Sequence, residues 1–164
     1  MIRIPNDAAR RPTSWPIRPS PASPRVFSRI SSPRNFFFSH FRAFIAASPF
    51  LVLATSNGES IDCSPKGDAP GFVQLLDDRT LLIPDRPGNN RIDGMQNLLV
   101  NPQVGIIFMV PGSNETYRVT GSAAISTDPA LLKRCEVQGK LPRVVLRVAV
   151  EEAFNHCPKA FVRA

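Results

Sequence analysis

The sequence predicts a mainly β, α+β domain: a six-stranded antiparallel barrel flanked by short helices. Three observations carry this. Apolar strand-like runs recur from Phe50 to Val150 and are separated by turn signals such as Asn57-Gly58 and Pro111-Gly112-Ser113-Asn114, the punctuation of hairpins. Helical periodicity is confined to short stretches at the margins. No Gly-rich GxGxxG follows a strand, so the fingerprint of a parallel dinucleotide-binding sheet is missing.

Order is expected from residue 36 to residue 164. Phe37, Phe41, Phe44 and Ile45 recur at helical spacing, and the helix they form ends before Ser48-Pro49, because the residue before proline leaves the helical region. Phe50 to Thr55 reads as a buried strand, closed by Asn57-Gly58 and returned by a strand over Glu59 to Ser64. Ser64 then precedes Pro65 at a turn, and Lys66 to Gly71 reads as a loop. Phe72 to Leu76 is a further short strand candidate, and Thr80 to Pro84 follows an Asp77-Asp78 turn. Ile92, Met95, Leu98 and Leu99 define a helix face, stopped at Asn101-Pro102. Val104 to Val110 and Glu115 to Ile125 form the next hairpin. Thr127-Asp128-Pro129 opens a short helix over Ala130 to Glu136, with proline at the first helical position. Val144, Leu146, Val148 and Val150 line one face of a last strand, and Glu151 to Ala164 continues as strand or short helix.

Residues 1–35 are different in kind. They hold seven prolines and seven arginines against one acid, Asp7. Such a segment buries too little apolar surface to offset the entropy of ordering, so disorder is expected. Its Arg- and Ser-rich, acid-poor character also resembles a transit peptide, and a start site placed too far upstream would look the same. The formal charge of +7 sits almost wholly there, since the remainder carries 13 basic and 12 acidic residues. A basic nucleic-acid-binding face is therefore not supported for the domain. Cys63, Cys135 and Cys157 are odd in number and widely spaced, with only His40 and His156 beside them. No metal-ligand spacing results, and a reducing cytosol is the expected compartment. No apolar run approaches the length of a membrane span.

The most informative stretch is Asp85-Arg86-Pro87-Gly88-Asn89-Asn90-Arg91, between a strand and a helix. Gly88 permits a tight turn, and Asn89 or Asn90 can cap the helix start. Two arginines beside unpaired backbone N–H groups at a helix N-terminus suit a phosphate. The alternative is two solvated arginines paired with Asp85 and Asp93.

Together with "FRAFIAASPFLVLATSNGESIDCSPKGDAPGFV", "LLIPDRPGNNRIDGMQNLLVNPQVGIIFMVPG", "ETYRVTGSA" and "HCPKAFVRA", this stretch resembles the pyridoxamine 5′-phosphate oxidase-like, FMN-binding split-barrel family over roughly His40 to Arg163. The resemblance implies a split form of the barrel and a homodimer holding FMN in a groove between subunits. It implies that Arg86, Asn89, Asn90 and Arg91 grip the phosphate, and that Cys63, Ser64, Pro65 and Lys66 lie along the isoalloxazine and ribityl chain. A lysine cation near the flavin N1/C2 carbonyl would favour the anionic reduced form; a solvent-facing loop lysine is the other reading of Lys66. The resemblance also implies that the stretch holding His156 and Cys157 closes the groove from the partner subunit; a C-terminal segment packed on the barrel is the other reading. The chain stops where relatives continue through a further apolar segment, so the domain is expected to be C-terminally shortened.

The function implied is an FMN-dependent oxidoreductase moving electrons or a hydride between small molecules. No catalytic side chain is singled out, because the cofactor carries the chemistry. A flavin or haem carrier without turnover is the alternative, with His156 as the candidate haem ligand.

Overall fold

A computed structural model of the chain describes residues 35–88 and 91–163. The expected disorder of residues 1–34, the side chain of Phe37, and Asn89 and Asn90 lie outside the described residues.

The helix α1 (Asn35–Ala47) buries Phe41, Phe44 and Ile45 and ends at Ser48. The Ser48 hydroxyl lies 2.7 Å from the carbonyls of both Phe50 and Met109, pinning the chain where it turns into β1 (Phe50–Ser56). The hairpin to β2 (Ile61–Gly67) turns where expected, with Gly58 at φ +94° and the Asn57 side chain accepting from the Glu59 and Ser60 amides. After a loop come β3 (Gln74–Leu75), β4 (Thr80–Pro84) and α2 (Asp93–Val100). The strands β5 (Gln103–Met109) and β6 (Thr116–Ser126) make the second hairpin. Then follow α3 (Pro129–Arg134), β7 (Val145–His156) and α4 (Lys159–Arg163). Asp128 caps α3 by accepting from the Ala130 amide at 2.8 Å, with Pro129 behind it as expected.

The strands form one antiparallel sheet in the order β2-β1-β5-β6-β7-β4-β3. The antiparallel barrel class is as expected, with seven strands rather than six because the short β3 is added. The core is the inward face of this sheet with α1 packed on it. Leu51, Leu53, Ile106, Phe108, Val119, Val148 and Tyr117 are buried there, and Phe44 stacks on Tyr117 at 4.6 Å between ring centroids. A second, smaller cluster of Leu82, Cys135 and Val145 forms under α3 on the opposite face. Val145 is therefore buried as well as Leu146.

The ladder of the long β6–β7 pair is interrupted at one point. The register slips between Thr120, opposite Glu152, and Gly121, opposite Val150, leaving Glu151 as the extra residue of a bulge. A Cβ at position 121 would overlap the Ala149 carbonyl oxygen, so only glycine permits this approach.

Three local expectations are corrected. Pro65 and Lys66 lie inside β2, opposite Val52 and Leu51, rather than in a turn and a loop. Proline is tolerated there because β2 ends the sheet and its outer edge needs no N–H. On α2, Ile92 and Leu99 are exposed; the buried residues are Asn97 and Leu98. The Asn97 side chain donates to the Thr55 hydroxyl at 3.2 Å, so a polar contact seats this helix on β1. The last segment is both strand and helix, since β7 reaches His156 before α4 begins.

Candidate functional site

Strand alternation decides what β2 offers. Asp62, Ser64 and Lys66 pair across the ladder with Thr55, Leu53 and Leu51, all buried, so they share the inward face. Ile61, Cys63 and Pro65 turn to the other face. Beside this inward row stands α2. Its Gly94 lies so close to β2 that a Cβ there would come within 3.0 Å of the Asp62 carboxylate and 3.4 Å of the Thr55 hydroxyl.

Between β2, the exit of β4 and the start of α2 lies a cavity of about 140 Å³. Cys63, Ser64, Pro65 and Lys66 line it from β2, Arg91 and Gly94 from the α2 side, and Leu53 and Leu146 from the core. Three carboxylates also face it, those of Asp62, Asp85 and Asp93. Five of the six described positions expected from the sequence thus come together: Cys63, Ser64, Pro65, Lys66 and Arg91.

Arg86 does not join them. Its Nε donates to Asp68 at 2.7 Å and its Nη1 donates to the Cys135 carbonyl at 2.9 Å. This ties the exit of β4 to the end of β2 and to the last turn of α3. Of the anticipated arginine pairs, Arg91 with Asp93 is present at 2.9 Å. Asp85 pairs instead with Lys66, at 3.6 Å. The hydrogen bond from Arg91 holds the Asp93 carboxyl below its ordinary range and raises the guanidinium.

At the start of α2, Ile92 occupies the N-cap position, and its apolar side chain makes no capping hydrogen bond. The expected capping by Asn89 or Asn90 falls on residues outside the described ones.

Chemically, the cavity brings together one lysine, one arginine, a serine hydroxyl and the first turn of a helix, offset by three carboxylates. The donors can hold an anionic or carbonyl-bearing ligand. Burial pushes the Cys135 thiol up, against the nearby Arg86 and Arg134 charges, which suits a packing role. Cys63 and Cys157 are exposed. Among the described residues there is no cluster of His, Cys, Asp or Glu fit to hold a metal ion. Likewise, no helix among them is long and apolar enough to cross a membrane.

Sequence reasoning missed Asp62, Asp68 and Gly94. A period-2 reading carried through Pro65 would have placed Asp62, Ser64 and Lys66 on one face. Asp68 carries no local signal, because its partner Arg86 lies across the barrel.

A family model described as pyridoxamine 5′-phosphate oxidase matches residues 37–157. No curated protein matches the chain's sequence. Solved structures do. HupZ of Group A Streptococcus superimposes with a TM-score of 0.57 at 22% identity, covering 71% of this chain and 91% of that one. A Clostridium acetobutylicum protein related to general stress protein 26, of the pyridoxinephosphate oxidase family, gives 0.53 at 12% identity, covering 75% and 89%. An FMN-binding protein from Syntrophomonas wolfei gives 0.51 at 12% identity, covering 75% and 92%. At these identities the likeness establishes a shared split-barrel fold.

Proposed function

Because this chain belongs to the pyridoxamine 5′-phosphate oxidase family, we propose that it binds FMN at the β2–α2 cavity and acts as an FMN-dependent oxidoreductase on small molecules. The observation that carries the reading is the convergence of Ser64 and Lys66 from β2 with Arg91 and the first turn of α2 around one cavity. Charged and backbone donors of this kind suit a phosphate ester at one end and a polar ring edge at the other. Arg91 and the α2 amides would hold the phosphate. Lys66 and Ser64 would face the flavin ring, with Cys63 and Pro65 along its edge. When bound, FMN supplies the electron or hydride transfer, and the protein supplies orientation and charge. An FMN-binding protein of the same fold adds to this reading.

The cavity is small for such a ligand, against roughly 300–1,000 Å³ for typical cofactor sites. A single chain therefore offers one wall. We place the other wall on a second copy, in a homodimer. The outward face of the sheet is suited to the contact. Pro65, Val52 and Ile107 form a cross-strand row, with Phe50 and Ile107 partly exposed and Ile61 exposed beside them. Because Cys63 and Pro65 border both this face and the cavity, covering the face extends the cavity. The three unpaired cysteines accord with a cytoplasmic location.

The test is a visible spectrum of the protein after incubation with excess FMN and removal of unbound ligand, followed by mass identification of the released chromophore. Flavin bands, bleached by NADH or NADPH without oxygen and restored by an acceptor, are expected. A protein that stays colourless contradicts the cofactor assignment. Bound FMN that no donor reduces would leave a carrier and remove the oxidoreductase.

A further inference from the structure

The two ends of the sheet share no ladder among the described residues, and the gap between β2 and the exit of β4 is bridged by side chains. Two neighbouring ion pairs do this, with charges alternating on each side: Lys66 and Asp68 on β2 and just past it, Asp85 and Arg86 just past β4. The pairs are unequal. Arg86 holds Asp68 at 2.7 Å and also the Cys135 carbonyl, so its guanidinium is fixed by two hydrogen bonds. Lys66 stands 3.6 Å from Asp85, beyond a hydrogen bond, and lies at the cavity wall where its ammonium can donate. Both side chains of this pair are about three-quarters buried, where charges are screened less than at an open surface.

We propose that Asp85 is a positioning residue for Lys66. It holds the ammonium at the cavity wall and offsets part of its charge, and through Lys66 it sets how strongly the cavity prefers reduced over oxidised FMN. This rests on the FMN reading above. Among the described groups, Asp62, Asp93 and Arg91 also face the cavity, and their charges act on every variant alike. Replacing the Asp85 carboxylate by an amide keeps its size and leaves Lys66 uncompensated. The more anionic, reduced form of the cofactor then gains most.

Four proteins test this: the parent, Asp85→Asn, Lys66→Met and the double variant, each loaded with FMN. The reduction potential of the bound FMN is measured against the free cofactor. Asp85→Asn should raise the preference for the reduced form about tenfold, equivalent to about 30 mV for a two-electron couple. Lys66→Met should lower that preference, and adding Asp85→Asn to it should change little more. An unchanged potential in Asp85→Asn overturns the proposal, as does an equal rise in the Lys66→Met background. The same four apoproteins are unfolded in denaturant as a double-mutant cycle. A coupling of up to about fivefold in the unfolding constant supports the pairing, and its absence overturns it. If no variant binds FMN, the cofactor reading and the tuning fall together, and the apoprotein cycle alone decides whether Asp85 holds Lys66.

Discussion

Along the back of the barrel, β5, β6 and β7 each have a hydrogen-bonded neighbour on both sides, and their inward side chains Ile106, Phe108, Val119 and Val148 are buried. At the front, β2 and β3 end the sheet and the fold is closed by Lys66–Asp85 and Arg86–Asp68. The back is held by ladders and apolar burial, for which a small anion does not compete and which electrostatic screening leaves in place. The front is held by partly exposed charges, which a ligand can compete for. Stability thus resides chiefly in the wall, while the seam carries the cavity proposed for recognition.

The sharpest way to break this contrast is at the bulge. Gly121→Ala should cost at least about 5 kcal/mol or prevent folding, because the added Cβ overlaps the Ala149 carbonyl across the β6–β7 ladder. Equilibrium denaturation measures it, and a loss below about 1 kcal/mol would mean that the ladder re-registers at no great cost. Phe108→Ala comes next, at about 3–5 kcal/mol, since the ring is fully buried in the wall and leaves a cavity. The same denaturation curves report it, and a mild effect would show that the wall can collapse around the void.

At the seam, Arg86→Ala should cost less, about 1–2 kcal/mol. It strands Asp68 and the Cys135 carbonyl, but both ends of the ion pair are partly solvated. Added salt should weaken the parent toward the variant, and a cost that matches Phe108→Ala would erase the distinction between the regions. The smallest effect concerns Tyr117, the chain's one tyrosine. Burial raises its phenol above the ordinary 10.0, with the Glu115 charge adding to the shift. Between that value and the folded one, the unfolded chain loses a proton that the folded chain keeps. Stability should therefore fall as pH rises past 10.0. Phenolate absorbance that develops only with unfolding confirms it; ionisation at the ordinary value in the folded protein contradicts it.

The elements that could be read from the sequence are those fixed by short-range chemistry. Asn57-Gly58 marks its hairpin because the turn needs a positive φ, and Asp128-Pro129 marks α3 because cap and first helical position are adjacent. Of the phosphate-suited stretch, Arg91 lines the cavity beside the helix start. Arg86 turns instead to Asp68 and Cys135, partners without a local sequence signal because they are brought close only by folding. Pro65 hid a strand, since proline usually breaks a ladder and only the edge position of β2 excuses it. The exposure of Ile92 and Leu99 was hidden for a similar reason. Helical periodicity nominates a face, while the buried contact made by Gly94 and Asn97 decided which side of α2 turned inward.

The central claim is that the cavity beside α2, and not Arg86, receives the cofactor's phosphate. Titrating FMN into the parent, Arg91→Ala and Arg86→Ala, and following quenching of flavin fluorescence, tests it most directly. Arg91→Ala should weaken binding about tenfold or more, as expected for loss of a charged hydrogen bond to phosphate, while Arg86→Ala should keep the parent's affinity within about threefold once stability is accounted for. A large loss in Arg86→Ala with none in Arg91→Ala would contradict the account and put the phosphate on the other side of the seam.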